Sequence, residues 1–315
     1  MGNTRIFFAT DVHGSETCFL KFVNAGKFYK ANVTILGGDL TGKAVIPIVK
    51  RSDGAFEATF LDTKQVLGTK DEVAAFEQKL RFTGYYPYLA DPREMDELSA
   101  DEVRVSELFS KLMVESTSRW MQLAEQRLKG SDVRCFISPG NDDRFCIDPV
   151  LDGSDCICNP EGKVVKIDAD HEMITSGFTN PTPWKTAREC AETELAEKIE
   201  SMSSQVENMS KCIFNLHCPP FNSRIDAAPE LDAELRPKRE SLGLYPVGST
   251  AVRAAIETHQ PLMGLHGHIH ESGGEVKIGR TSCLNPGSEY GEGVLRGVLL
   301  NLDEKGIRNY VFVRG

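Results

Sequence analysis

Seven side chains carry the functional groups of a metal site, and each stands at or just past the end of a short apolar run: Asp11, His13, Asp39, Asn141, His217, His268 and His270. Together they offer two carboxylates, one amide oxygen and four imidazoles, with no thiolate among them. Such a mixture selects first-row divalent ions over calcium or an iron–sulfur cluster. Seven ligands are too many for one ion that also keeps an open position, and they suit two ions that share a bridging carboxylate. A pair of metals roughly 3.5–4 Å apart serves in-line displacement at phosphorus, neutralising phosphate oxygens and supplying hydroxide at neutral pH. Each cluster alone is a weak signal, because a lone loop histidine is more often solvated or structural than a ligand. The combination is what carries weight: four of the seven histidines belong to it, His266 adjoins it, and His171 and His259 lie elsewhere.

The apolar runs must be the elements that position these groups. "RIFFAT" hands over to "DVHG", "VTIL" to "GGDL", "VRCFIS" to "PGNDD", "KCIFNL" to "HCPP" and "PLMGL" to "HGHIH". Short, nearly continuous apolar runs alternating with helical patterns are how buried strands of an α/β protein read. Ligands of open α/β sheets bind beyond the carboxyl ends of the strands. If the five strands lie side by side, all five clusters face one crevice.

The intervening helices are legible too. One runs from Glu16 to about Ala25. A second, with Ser99 and Glu102 as a capping box, extends to about Leu128 and stops at Gly130. Val105, Leu108, Phe109, Leu112, Trp120 and Leu123 form its apolar stripe, which reads Trp120 as core and not as part of a substrate pocket. A third spans Glu189–Met202 with a solvated charged side, and Ser249 caps a fourth that ends before Pro261. After Glu271 the pattern turns to antiparallel β. Residues 44–62 read as a hairpin with Asp53-Gly54 at the turn. The long stretch between Asp39 and Asn141 exceeds what one crossover helix needs. It predicts an insertion, at about 43–130, that shapes or covers the crevice of a single domain spanning 1–315.

The five blocks, "DVH" at 11–13, "GD" at 38–39, "GND" at 140–142, His217 in "NLHCPP" and "GHIH" at 267–270, appear in an order that resembles the calcineurin-like metallophosphoesterases. The chain most resembles their Icc-like prokaryotic branch. The resemblance implies a four-layer α/β/β/α sandwich, with the long insertion between the second and third motifs. It implies a phosphodiesterase or phosphatase in which metal-bound hydroxide attacks a phosphodiester or small phosphomonoester in line. One metal would be held by Asp11, His13 and His270, the other by Asn141, His217 and His268, with Asp39 bridging. Manganese is the expected ion of both sites, with iron, zinc or nickel as alternatives. "LNPGS" resembles a turn of small prokaryotic members, and a turn between strands is the better reading than a phosphate cradle.

One position departs from the family pattern. Where most members have a histidine that contacts the phosphate and helps protonate the leaving group, this chain has Asp142, followed by Asp143. Two nearby cations favour the carboxylate over the carboxylic acid, so Asp142 is expected to position water or a ligand and not to serve as the obligatory acid. Lys43, Arg144 and Arg224 could each reach phosphate, with a surface salt bridge as the plainer reading of each. The missing histidine also keeps open a weakly active protein-interaction scaffold of the same fold. Retention of all seven ligand types argues for the enzyme.

Composition bounds the remainder. The hydrophobic fraction of 40% and charged fraction of 26% are those of an ordinary globular protein. A net charge of -10 opposes capture of long nucleic acid or anionic membrane, leaving a small phosphorylated molecule as the expected partner, with self-association compatible. No run approaches a membrane span, and the odd count of nine cysteines reads as free thiols, which together place the chain in the cytoplasm.

Overall fold

The computed structural model describes residues 3–232, 235, 236, 238 and 243–315. Two six-stranded sheets dominate it. In the first, the parallel strands Thr4–Ala9, Val33–Gly37 and Arg134–Ser138 lie side by side, flanked by Ile157–Cys158 and by the antiparallel pair Arg296–Asp303 and Gly306–Arg314. In the second, Glu172–Ser176, Cys212–Leu216, Met263–Leu265 and Thr281–Asn285 are parallel, with Val164–Lys166 and Gly274–Ile278 antiparallel at the edges. The five motif-bearing strands therefore do not share one sheet: three belong to the first and two to the second.

Strand periodicity explains how the sheets stack. In Thr4–Ala9, Ile6 and Phe8 point to one face and Phe7 and Ala9 to the other, and all four are buried. Ile6, Phe8, Ile35 and Phe136 meet Met173, Ile213, Leu265 and Leu284 between the sheets. Phe7, Leu36 and Ile137 pack outward against helices Glu16–Tyr29 and Glu102–Leu128. On the far side Phe214 and Leu216 pack against helices Glu192–Ser203 and Thr250–His259. The result is the expected four-layer α/β/β/α sandwich. Because both faces of each sheet are covered, the strands read as unbroken apolar runs.

Several local expectations need correction. The long helix is capped by Asp101, whose carboxylate accepts from Val103 N and Arg104 N, and not by Ser99, which closes a separate helix Pro92–Ser99. Val105, placed on its apolar stripe, is exposed. The first helix continues to Tyr29, and the third begins at Glu192. The C-terminal strands form two hairpins that enter different sheets. Trp120 is core, stacked on Phe19 with ring centroids 4.2 Å apart, and Ser249 caps Thr250–His259 as read.

Residues 45–90 build an additional four-stranded sheet, ordered Thr63–Leu67, Phe56–Phe60, Val45–Lys50, Tyr86–Ala90. The hairpin is present, with Gly54 at φ 87 in its turn. Helix Lys70–Phe82 covers this sheet over a core of Ile48, Phe60, Leu67, Val73, Phe76 and Leu80. It abuts the first motif: Ser15 Oγ donates to Phe82 O at 2.7 Å, and a Cβ on Gly84 would lie 2.2 Å from His13 O. Among the described residues no helix is long and apolar enough to cross a membrane.

Candidate metal centre

The loops that leave the two sheets are stitched to each other by backbone hydrogen bonds. Asp11 N donates to Gly38 O (3.0 Å), His13 N to Asp39 O (2.9 Å) and Gly267 N to His217 O (2.9 Å). His268 N donates to both oxygens of Asp11, at 3.0 and 3.1 Å. Asp11, His13, Asp39 and His268 all adopt positive φ, at 54, 39, 52 and 67°. Left-handed backbone is uncommon for residues with a side chain and persists where surrounding contacts over-determine it. Gly140 is required by close approach, since a Cβ there would lie 2.3 Å from Asp39 N and Oδ1.

These turns bring six of the seven predicted groups together, with Asn141 on the adjoining loop. Asp11, His13, Asp39 and His270 place ligand atoms within 4.8 Å of one another, and so do Asp39, His217 and His268. Asp39 is common to both sets. Its Oδ2 lies 3.5 Å from His13 Nε2 and 3.4 Å from His217 Nε2. His13 Nε2 and His270 Nε2 face each other at 2.9 Å, with Asp11 Oδ1 3.4 Å from the latter. His217 Nδ1 donates to Gly37 O at 2.9 Å, which turns Nε2 toward the carboxylates. Asn141 Nδ2 donates to Thr186 Oγ1 at 2.8 Å, an assignment that leaves its Oδ1 inward.

One atom tests whether a metal suits this set. Asn141 Oδ1 is buried without a hydrogen-bond partner, while His217 Nε2 faces the Asp39 and Asp11 carboxylates at 3.4 and 3.8 Å. Buried polar atoms are ordinarily paired, and a divalent cation would satisfy the amide oxygen. The donors are nitrogen and oxygen only, as first-row divalent ions prefer. The cluster is compatible with divalent metal ions.

Electrostatics agrees. Burial alone would lower His217, but the Asp39 and Asp11 carboxylates reverse it and push it up to about 10. Burial pushes His268 down to about 3, with His217 adding to the effect, and it likewise drives His13 well below its ordinary value, helped by Lys43 and His270. Burial would raise Asp11, yet the imidazoles, His217 first, hold it below the usual carboxylate range. Without metal, then, His217 keeps a proton between two carboxylates while His13 and His268 are neutral. Ligation by His217 Nε2 must displace that proton. Apparent metal affinity is therefore expected to rise with pH, about tenfold per unit between about 7 and 9 for the one proton lost. Calorimetry in buffers of different ionisation enthalpy would count the proton, and a flat pH dependence would refute this account.

The other candidates separate clearly. Lys43 Nζ pairs with Asp142 Oδ2 at 3.1 Å. Arg144 turns away, donating to Ser106 O, Ser106 Oγ and Ser110 Oγ and lying over the Phe109 ring. Arg224 is exposed. The "LNPGS" segment is a bracing turn: Ser288 Oγ donates to Asp11 O and Ser288 N to His270 O.

Four contributors have no motif to announce them. Asp143 is fully buried and accepts from Leu40 N, Thr41 N, Thr41 Oγ and Gly140 N, tying the second motif loop to the third. Arg188 donates from Nε to Asp143 O and pairs with Asp148. Thr186 orients Asn141. Tyr290 packs on His13 at 4.7 Å between ring centroids and on His270 at 5.8 Å. Only the Asn-Asp-Asp run hinted at any of them, through Asp143.

Solved structures share this four-layer fold. A crystal structure of TT1561 from Thermus thermophilus superposes with a TM-score of 0.56 at 12% identity, covering 99% of both chains. Another crystal structure matches with a TM-score of 0.61 at 14% identity and the same coverage. In sequence, the chain is 32% identical over 130 residues to the uncharacterized protein MJ1162 of Methanocaldococcus jannaschii. The match takes in 41% of this chain and about half of that relative's length, 53%. No family model matches the chain.

Proposed function

We propose that this chain is a dinuclear metal-dependent phosphoesterase of the Icc-like branch, hydrolysing a phosphodiester or a small phosphomonoester. The observation that carries the reading is Asp39 Oδ2, buried within 3.5 Å of ligand nitrogens from both groups. Asp11, His13 and His270 would hold one ion and Asn141, His217 and His268 the other, with Asp39 between them. Two such ions, manganese foremost, supply Lewis acidity toward phosphate oxygens and a nucleophile drawn from water at neutral pH.

The protein's own share is preorganisation. Asp142 N donates to Asp39 Oδ1 at 3.0 Å, so the bridging carboxylate is aimed before any ligand arrives. Ser288 and His268 fix Asp11 from its carbonyl and its carboxylate. The segment of residues 45–90 packs directly on the first motif loop through Phe82 and Gly84. Nine free thiols suit a reducing compartment, and we place the enzyme in the cytoplasm on that ground.

Metal analysis of the purified protein, followed by turnover of activated aryl phosphomonoesters and phosphodiesters with Mn²⁺, tests the reading. Two ions per chain with hydrolysis are expected. Two ions without turnover would favour a scaffold that has kept the metals, the alternative that Asp142 in place of the family's histidine suggests. A protein that takes up no metal would end both the dinuclear and the phosphoesterase reading.

A further inference from the structure

The position where the family's phosphate-contacting histidine is expected holds a carboxylate, which an anionic substrate would repel. Asp142 does not stand alone there. A single oxygen, Asp142 Oδ2, lies 3.1 Å from Lys43 Nζ and 3.6 Å from His13 Nδ1. Exposure rises outward along this line: the His13 side chain is 0% exposed, Asp142 19% and Lys43 48%. Lys43 is therefore the most exposed of the three and lies at the outer edge of the ligand cluster.

Its loop is fixed at the base. Thr41 is held by Asp143 through both its N and its Oγ, and Gly42 N donates to Tyr86 Oη at 2.8 Å. An ammonium carries three N–H donors on a flexible stem, and the Asp142 contact uses one.

We propose that Lys43, anchored by Asp142 at the mouth of the metal centre, binds a non-bridging phosphoryl oxygen and tunes the site to phosphomonoester dianions over phosphodiester monoanions. The proposal rests on the phosphoesterase reading and assigns it a substrate class. The physical ground is charge: a cation attracts a dianion about twice as strongly as a monoanion at the same distance, with part of the Lys43 charge offset here by the Asp142 carboxylate 3.1 Å away. Asp142 is then a positioning residue. It neutralises nothing in the substrate but holds the lysine at the rim through a charge-assisted hydrogen bond.

The test uses the full chain loaded with Mn²⁺ and compares wild type with Lys43→Gln and Lys43→Arg. Inorganic phosphate is the probe, its dissociation constant measured by calorimetry, with metal content measured in parallel. Lys43→Gln is expected to weaken phosphate binding about tenfold or more, as loss of a charged hydrogen bond does, with both ions retained. Its kcat/KM should fall more on an aryl phosphomonoester than on the bis-aryl diester, and Lys43→Arg should restore most of both. Unchanged phosphate affinity in a Lys43→Gln protein that holds both ions would overturn the proposal, as would equal losses on the two esters. Failure of wild type to bind metal would instead refute the phosphoesterase reading beneath it.

Discussion

Asp39→Asn is expected to remove metal from the protein and to lower kcat/KM by at least the roughly 10²–10³-fold typical of losing one preorganised electrostatic contact. The substitution keeps the size of the side chain and one oxygen acceptor. What it removes is the charge and the second oxygen. Asp39 Oδ1 already receives Asp142 N, so in asparagine a single oxygen cannot both hold that bond and face His13 and His217. Stability of the metal-free protein should move little. Burial pushes Asp39 up, His217 draws it down, and the Asp142 and Asp11 carboxylates push it up again, leaving it raised above its ordinary value. A carboxyl raised in the folded state opposes folding once the pH exceeds its unfolded value, so at pH 7 the metal-free wild type carries a penalty that asparagine lacks. Asparagine also withdraws the charge that holds the buried His217 protonated, which opposes that relief, so the metal-free variant should melt close to metal-free wild type, while the metal-loaded pair should separate in favour of wild type. A metal-free variant that melts far below wild type would mean that the lost activity reflects misfolding. Melting curves with and without Mn²⁺, beside metal analysis, distinguish the outcomes.

The seven candidate ligands were legible because their chemistry is concentrated at strand ends and repeated five times. Their convergence was not. Nothing in "VRCFIS" or "KCIFNL" says which sheet a strand joins, because a strand buried on both faces presents the same apolar run wherever it lies. The crevice is formed where two stacked sheets end together, and only the resemblance to a known sandwich pointed there. The helix cap failed for a local reason. "ELSADE" offers both Ser99 and Asp101 as caps, and the preceding helix Pro92–Ser99 had already taken the serine into its last turn. Arg188, Thr186 and Tyr290 were invisible because each acts on a residue far away in sequence: Thr186 on Asn141, Tyr290 on His13. Arg144 was a plausible phosphate ligand from its place beside Asp143, but the helix Glu102–Leu128 supplies Ser106 and Ser110 to hold it.

Asp143 carries the second large prediction, and it separates two adjacent carboxylates that the sequence presents as a pair. Asp143→Ala should destabilise the metal-free protein by about 3 kcal/mol, the scale of leaving buried donors unpaired after removal of their common partner. Leu40 N, Thr41 N and Gly140 N, all buried, lose their acceptor at once. Part of the loss is offset, because burial and the Asp39 charge push the Asp143 carboxyl up and its removal relieves that penalty. Asp143→Asn should be milder in stability yet still damaging to the site. Its one oxygen can serve Thr41, or else Leu40 and Gly140, but its amide then points at an N–H on the other side. The Asp39 loop and the Asn141 loop would come apart on that side, and metal affinity should fall about 10–100-fold, the usual effect of losing a group that orients ligands. Asp142→Asn, one residue away and part-exposed, should leave the melting temperature nearly unchanged. Equal melting temperatures for the Asp142 and Asp143 variants would show that Asp143 is not the clamp between the two loops.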